Sequence, residues 1–217
     1  MNLEKLKINI LGDSITEGAG ASDENHIFWK LFELNDRAIV HAYGIGGTRI
    51  AKQRVPSEDP QFDRHFITRV PDMDAFADVV FVFGGTNDHG HGDAPIGTFH
   101  DRTDDTFYGA LHHLLLTLIE KYPQAHIAVL TPLHRVGEQD IINGFGVRNV
   151  ATLEAYVDII IEVASYYGLP VIDLYRTSGM QPEVPLLKER YNPDGIHPND
   201  AGHERIYRIL KSYLESI

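Results

Sequence analysis

The sequence predicts an α/β domain built on a five-stranded parallel sheet with helices on both faces, in three α/β/α layers. Short apolar runs rich in β-branched residues alternate with longer stretches of helical period. The short runs are almost wholly apolar, a pattern typical of parallel strands that are covered on both faces. We therefore expect one domain spanning residues 1–217, with right-handed crossovers between the strands.

The individual elements follow from these two periodicities. The predicted strands are 6–11, 38–43, 78–83, 126–131 and 170–174. The predicted helices are 24–35, 59–69, 104–121, 147–167 and 199–215. The last helix has the clearest pattern, because Ile206, Leu210 and Leu214 recur at helical spacing. No repeat, low-complexity tract or linker indicates a second domain.

The composition excludes several classes of chemistry and partner. The 217 residues include no cysteine, so thiolate metal sites and cysteine nucleophiles are ruled out. Lys and Arg number 19 against 31 Asp and Glu, and the net charge of −12 disfavours nucleic acid and stable membrane association. We find no signal-peptide or transmembrane pattern and expect a cytoplasmic protein, unless a secretion signal has been trimmed. The pattern indicates no particular oligomeric state.

A serine follows the first predicted strand, in the segment Gly12-Asp13-Ser14. Parallel sheets bind ligands at the carboxyl ends of their strands, and a serine in a strand-to-helix turn exposes its hydroxyl beside backbone amides. This placement suits a nucleophile, but Asp13, Ser14 or Thr16 could instead cap the helix. Thr16 stands where a Gly-x-Ser-x-Gly elbow has its second glycine, so that elbow is absent.

The second and third strands end in glycine-rich turns. Gly46 and Gly47 precede Arg49, where a dinucleotide fingerprint would need another glycine. They indicate either a tight turn or a backbone N–H that can approach a reacting atom closely. Asn87 follows Gly85 after the third strand and is either a turn residue or an uncharged oxyanion donor.

Further polar residues follow the third and fourth strands. Asp88, His89 and His91 could bind a metal, but no further ligands occur at diagnostic spacing. We therefore expect no metal and no organic cofactor, and we predict that Asp88 and His89 contact substrate. His134, after the fourth strand, is a further candidate substrate contact, with loop packing as the alternative.

An Asp-x-x-His segment precedes the final helix. With Gly195 allowing a sharp turn, Asp194 can bring its carboxylate to the imidazole Nδ1–H of His197. That contact would fix the tautomer and leave Nε2 as a base. The alternative to a catalytic base is a histidine that is merely held in a turn by a nearby aspartate. Asn199 is predicted to cap the helix that follows.

Taken together, these segments resemble the sequence blocks of the SGNH, or GDSL-type, hydrolase superfamily. The matching residues are Gly12-Asp13-Ser14, Gly47, Gly85-Thr86-Asn87-Asp88 and Asp194-Gly195-Ile196-His197. The resemblance runs from about residue 8 to the C-terminus. It implies the flavodoxin-like fold of that superfamily and hydrolysis of esters.

The resemblance also implies a role for each matching residue. Ser14 would be the nucleophile, His197 the general base and then acid, and Asp194 the residue that orients the imidazole. The oxyanion hole would consist of the Ser14 N–H, the Gly47 N–H and the Asn87 side-chain amide. The sequence departs from the usual pattern in having Ile15 for leucine and no asparagine ahead of the second block.

The loops after the strands suggest the substrate class. Those at 48–63, 88–103 and 133–146 are rich in polar residues, which favours a short-chain or acetyl ester of a carbohydrate or another polar alcohol. A lysophospholipase or thioesterase is the alternative enzyme. A non-catalytic carbohydrate-binding relative is the alternative from a different class.

Overall fold

The computed structural model of the protein describes residues 1–141 and 151–217 and contains one five-stranded, wholly parallel sheet. The strands lie in the order β2-β1-β3-β4-β5 across the sheet. Their bounds are β1 Lys7–Gly12, β2 Ile39–Gly44, β3 Val79–Phe83, β4 His126–Leu130 and β5 Val171–Ile172. Each overlaps a predicted strand, and the predicted fold class is confirmed.

Helices cover both faces of this sheet. Their bounds are α1 Ser14–Glu17, α2 Phe28–Asp36, α3 Thr86–His91, α4 Phe107–Lys121, α5 Leu153–Tyr166, α6 Leu174–Thr177, α7 Pro185–Tyr191 and α8 Asp200–Glu215. Ile8 and Ile10 of β1 pack into the core shared with α2 and α8, whereas Leu11 joins the core beneath α4 and α5. The strand is therefore buried on both sides, which explains its continuous apolar pattern.

Two predicted helices differ from the observed structure. The prediction of a helix at 59–69 is wrong, because the chain forms two 3₁₀ turns, Pro60–Asp63 and Phe66–Asp72. His65 interrupts them with an extended ψ of 159°, and Pro71 removes a backbone donor. The helix predicted at 24–35 is likewise divided by Ile27, whose ψ of 137° is extended.

The remaining long helices agree more closely with the sequence. The helix predicted at 147–167 begins at Leu153, and residues 147–150 of that prediction lie outside the described residues. Asn199 caps α8 as expected, since its side-chain oxygen accepts the Gly202 N–H at 3.1 Å. In the described part of the chain, no helix combines the length and apolar character that crossing a membrane requires.

The order of the strands locates the crevice in which ligands bind. From β1 the chain moves outward to β2 and then crosses back to β3, so the direction of winding reverses between β1 and β3. Open parallel sheets bind ligands outside the carboxyl ends of their strands at this reversal. Ser14 follows β1, Gly47 follows β2 and Asn87 follows β3, and all three therefore lie around the crevice.

Candidate active site

Ser14 is placed by the tight turn between β1 and α1. Gly12 has no room for a side chain, because a Cβ there would lie 2.0 Å from Thr16 Oγ1. Asp13 is the N-cap, and its Oδ1 accepts the Ile15 N–H at 3.1 Å. With capping performed by Asp13, Ser14 becomes the first helical residue and its hydroxyl is available for another partner.

That partner is the imidazole of His197. Ser14 Oγ lies 3.0 Å from His197 Nε2, although the two residues are 183 positions apart in the sequence. On the other side of the ring, His197 Nδ1 lies 2.7 Å from Asp194 Oδ2. With the carboxylate accepting the Nδ1–H, Nε2 carries a lone pair that faces the serine hydroxyl.

The turn that carries Asp194 and His197 holds both side chains in place. Asp194 Oδ1 accepts the N–H groups of Ile196 at 2.8 Å and His197 at 2.7 Å, and Gly195 adopts a φ of +85°. Partial burial tends to raise the pKa of the Asp194 carboxyl, but these hydrogen bonds and the imidazole outweigh it and hold the pKa below its ordinary value. Asp194 is therefore a carboxylate at neutral pH.

The structure distinguishes the two glycines after β2. The Gly46 N–H donates to Glu17 Oε2 at 2.9 Å, and a Cβ on Gly46 would lie 3.6 Å from that of Ser14. Gly47 has a φ of +72°, which favours glycine. Among the described residues, the Gly47 N–H has no hydrogen-bond acceptor. Of these two adjacent glycines, Gly46 lies next to Ser14 and Gly47 keeps an N–H that is not used within the described residues.

The amide of Asn87 is held at both ends. Nδ2 donates to Thr48 O at 2.9 Å, and Oδ1 lies 3.2 Å from His91 Nε2. The side chain is buried at the start of α3, and Thr48 directly follows Gly47. An amide nitrogen has two hydrogens, so one remains after the bond to Thr48.

Asp88 and His89, which were predicted to contact substrate, are buried instead, with exposed fractions of 4% and 2%. Asp88 accepts the N–H groups of Ile50 and Ala51, both at 2.9 Å, and so fixes the segment after Gly47. Burial raises the pKa of Asp88 to about 6. His89 packs edge-on against Tyr156, and burial lowers its pKa to about 4. Neither side chain faces solvent.

His134 lies in a polar cluster beyond β4. Its Nδ1 is 2.8 Å from Glu138 Oε2, and its ring lies over Tyr175 with the centroids 3.8 Å apart. The side chain is 19% exposed, and its contact with substrate stays a prediction. Residues 142–146 of the loop predicted to bind substrate lie outside the described residues. Over residues 1–141 and 151–217, no group of three or more His, Asp or Glu side chains is arranged to hold a metal ion.

Arg69 was not singled out in the sequence, although it ties together the ends of two strands. Its guanidinium donates to Gly12 O at 2.9 Å, to Tyr43 O at 2.8 Å and to Thr48 Oγ1 at 3.1 Å. These acceptors lie on β1, on β2 and beside Gly47. One buried guanidinium therefore connects the ends of both strands to the segment that follows Gly47. No local pattern identifies it, because its nearest acceptor in sequence is 21 residues away.

A cavity of about 690 Å³ opens next to Gly47. Its wall is largely apolar, with Val55, Pro56 and Phe62 as the main carbon surfaces. Several of the polar residues around it are engaged by other protein groups, for example Asp93, whose carboxylate accepts two backbone N–H groups at 2.7 and 2.8 Å. The polar loops of the sequence therefore produce a less polar surface than their composition suggests.

Comparison with known proteins gives a consistent result. A protein from Lactobacillus plantarum is 30% identical, with a TM-score of 0.81 and coverage of 98% of each chain. An acetyl xylan esterase is 22% identical, with a TM-score of 0.67 over 96% of this chain and 100% of its own. A two-domain esterase active on acetylated mannans is 18% identical, with a TM-score of 0.62 over 98% of this chain and 50% of its own.

At the identities of the two esterases the likeness shows the fold alone. No functionally curated protein matches the sequence. The family model for GDSL-like lipases and acylhydrolases matches residues 10–205, a range that contains Ser14, Asn87 and the Asp194–His197 turn. The chain therefore belongs to the GDSL-like lipase/acylhydrolase family.

Proposed function

We propose that the protein is a serine ester hydrolase that works through an acyl-Ser14 intermediate. The observation that carries this proposal is the continuous hydrogen-bonded series from Ser14 Oγ through His197 to Asp194, with distances of 3.0 and 2.7 Å. A serine hydroxyl is a weak nucleophile unless an adjacent base accepts its proton, and the base needs a third group to orient it. Membership of an acylhydrolase family supports the same reaction.

In the first half of the proposed reaction, Ser14 Oγ attacks the ester carbonyl carbon while its proton passes to His197 Nε2. The carbonyl oxygen becomes an oxyanion, which the N–H groups of Ser14 and Gly47 and the second Nδ2 hydrogen of Asn87 would stabilise. Removing one such donor typically costs about 2.7–4 kcal/mol of transition-state stabilisation. The tetrahedral adduct then collapses, and His197 returns the proton to the departing alcohol.

The second half repeats these steps with water. His197 Nε2 takes a proton from a water molecule, whose oxygen attacks the acyl carbon of the Ser14 ester. The same three donors would stabilise the second oxyanion. Its collapse releases the carboxylic acid and restores the Ser14 hydroxyl with the proton held by His197.

For the substrate we propose first a short-chain or acetyl ester of a carbohydrate or another polar alcohol. Gln53 and Glu58 line the same cavity as Phe62. An aromatic ring can pack against the C–H face of a sugar while polar side chains bind its hydroxyls. The proposal draws support from the two esterases of acetylated polysaccharides among the structural neighbours.

The second candidate is a lysophospholipase or thioesterase type of acylhydrolase, which the apolar wall of the cavity favours. Val55, Pro56 and Phe62 offer carbon surface in the cavity that Gly47 also lines, and the Phe62 ring lies next to Gly47. A volume of about 690 Å³ exceeds what an acetyl group needs. In this second candidate the acyl chain would occupy the cavity and the alcohol part of the ester would face solvent. In the first candidate the sugar, which is the alcohol part, would occupy the cavity.

Turnover of paired substrates tests the reaction and separates the two candidates. We expect hydrolysis of p-nitrophenyl acetate and release of acetate from acetylated sugars, with kcat/KM higher for acetyl than for dodecanoyl esters. A clear preference for the dodecanoyl ester would reverse the order of the candidates. Ser14→Ala should abolish turnover, whereas Ser216→Ala, at an exposed serine near the C-terminus, should not change it. Unchanged turnover in Ser14→Ala would contradict the proposed reaction.

A further inference from the structure

The side-chain amide of Asn87 can serve an oxyanion in only one of its two orientations. With Nδ2 toward the oxyanion it donates a hydrogen bond, but a flip of 180° about its last bond would present the carbonyl oxygen and repel the charge. The observed orientation is fixed by two contacts. Thr48 O accepts from Nδ2 at 2.9 Å, and His91 Nε2 lies 3.2 Å from Oδ1.

The contact with His91 orients Asn87 only if Nε2 carries the proton, and Arg49 ensures that it does. Arg49 NH1 lies 2.8 Å from His91 Nδ1. A guanidinium has donors and no acceptor, so Nδ1 must be the unprotonated nitrogen and Nε2 the one that donates to Asn87 Oδ1. Burial, together with the positive charge of Arg49, lowers the pKa of His91 to about 4 and keeps the ring neutral at pH 7.

Arg49 is itself immobilised. It is only 3% exposed, and its NH2 donates to Phe62 O at 2.9 Å, Asp63 Oδ1 at 3.1 Å and Ser57 Oγ at 3.2 Å. Asp63 is in turn held by the N–H and hydroxyl of Ser57 at 2.9 and 2.7 Å. The guanidinium therefore cannot turn away from His91 without breaking several partly buried hydrogen bonds.

We propose that Arg49 and His91 are positioning residues that lock the Asn87 amide with its nitrogen toward the oxyanion; this inference rests on the proposed function. Asn87 and His91 lie four residues apart on α3, where side chains share one helix face. Gly47 is directly followed in the chain by Thr48, which accepts from the Asn87 amide, and by Arg49, which donates to His91. One short segment thus supplies an oxyanion donor and sets the orientation of another.

Two substitutions at His91 separate positioning from packing. His91→Leu removes the donor to Asn87, and we expect kcat to fall about 10- to 100-fold with KM within about twofold, less than the roughly 10²–10³ for loss of a whole oxyanion donor. His91→Gln offers an NH2 group to donate to Asn87 Oδ1 and a carbonyl oxygen to accept from Arg49, on a side chain of similar reach, and should recover most of that loss. His112→Leu is the matched control, because His112 is also buried and bonded to Tyr167 but lies on α4. It should leave kcat unchanged.

A double-mutant cycle gives the decisive result. If His91 acts through Asn87, then His91→Leu should change kcat by less than about twofold when Asn87 is already alanine, because there is no amide left to orient. An equal loss of kcat in both backgrounds would overturn the proposal. Thermal melting of each variant identifies any loss that results from unfolding.

A spectroscopic measurement keeps this inference distinguishable from the proposed function. Long-range ¹H–¹⁵N spectra report which ring nitrogen of a histidine carries the proton. We expect His91 at pH 7 to be neutral and protonated at Nε2. In Arg49→Met, which lacks the donor to Nδ1, we expect a mixture of the Nε2–H and Nδ1–H tautomers. A His91 ring protonated at Nδ1 would overturn the positioning role whether or not the protein hydrolyses esters. Conversely, an Nε2–H tautomer in a protein that turns over no ester would overturn the proposed function, while the orientation of the Asn87 amide by His91 and Arg49 would stand.

Discussion

The carboxylate of Asp194 forms hydrogen bonds with both the backbone and the ring of His197. One carboxylate oxygen accepts the His197 N–H and the other faces Nδ1, each at 2.7 Å. The ring position is therefore set relative to its own main chain by a single side chain three residues earlier. This arrangement explains how a short Asp-x-x-His turn can hold a base in place even though the Asp194 side chain is 54% exposed.

We predict that Asp194→Asn lowers kcat by about 10²–10⁴, because an asparagine amide facing Nδ1 favours the tautomer that protonates Nε2. Such a ring cannot accept the Ser14 proton. Initial-rate kinetics on p-nitrophenyl acetate measure the effect, and circular dichroism checks that the variant is folded. A folded Asp194→Asn protein with kcat within threefold of the wild type would contradict this role.

Gly47 and Gly168 form a matched pair for testing the oxyanion donor. Both have a positive φ, +72° and +67°, but a Cβ on Gly47 would lie 2.8 Å from Phe62 Cδ1 whereas one on Gly168 has nothing within 4 Å. Alanine at either position should cost about 1–2 kcal/mol of backbone strain. Only Gly47→Ala should also lower kcat, because it shifts the N–H that we propose as an oxyanion donor.

Urea denaturation and ester kinetics on both alanine variants measure these effects. The Gly168→Ala protein shows what the backbone strain alone does to activity. If the two variants lose kcat to the same extent, Gly47 has no particular part in the reaction.

Burial of Asp13 predicts a dependence of stability on pH. Burial raises the pKa of Asp13 to about 6, although its bond from Ile15 N–H and the positive charge of Arg69 partly offset this effect. The folded protein therefore binds more protons than the unfolded chain between about pH 4 and pH 6, and its free energy of unfolding gains from Asp13 as the pH falls through this range. Above about pH 7 the carboxyl is ionised in the folded protein too, and the buried charge destabilises it fully.

Asp13→Asn keeps an oxygen to accept the Ile15 N–H and removes the titration. We expect its stability relative to the wild type to fall by about 1 kcal/mol when the pH changes from 7.5 to 5.0. Urea denaturation at the two pH values measures the difference, and the other titrating groups are common to both proteins. A difference that is independent of pH would show that Asp13 does not titrate in this range.

The sequence predicts those features of this protein that depend on local pattern. Continuous apolar runs predict all five strands. The N-cap at Asn199 was predicted because this residue directly precedes a strongly amphipathic segment. The prediction of a helix at 59–69 is wrong, because His65 breaks the helical backbone with a ψ of 159°, and Asp63 pairs with Arg49, 14 residues away, instead of with a neighbour one helical turn along. Helical spacing alone does not report such contacts.

The candidate site was predictable to a similar degree. Ser14, Gly47, Asn87, Asp194 and His197 each follow a strand or precede the last helix, and the parallel sheet brings such positions together. Burial was not predictable from the sequence: Asp88 and His89 were predicted to contact substrate, and both side chains are buried. The link from Arg49 to His91 was also hidden, because it joins residues 42 positions apart.

The most direct test is covalent labelling by a fluorophosphonate, which phosphonylates an activated serine: an Oγ–P bond forms, the P–F bond breaks with loss of fluoride, and the hydroxyl proton passes to the base. We predict a single adduct by intact mass, located by peptide mapping on Ser14. His197→Ala should slow its formation, and Ser14→Ala should abolish it. A folded protein that forms no adduct, or one labelled at a different residue, would contradict the assignment of Ser14 as the nucleophile.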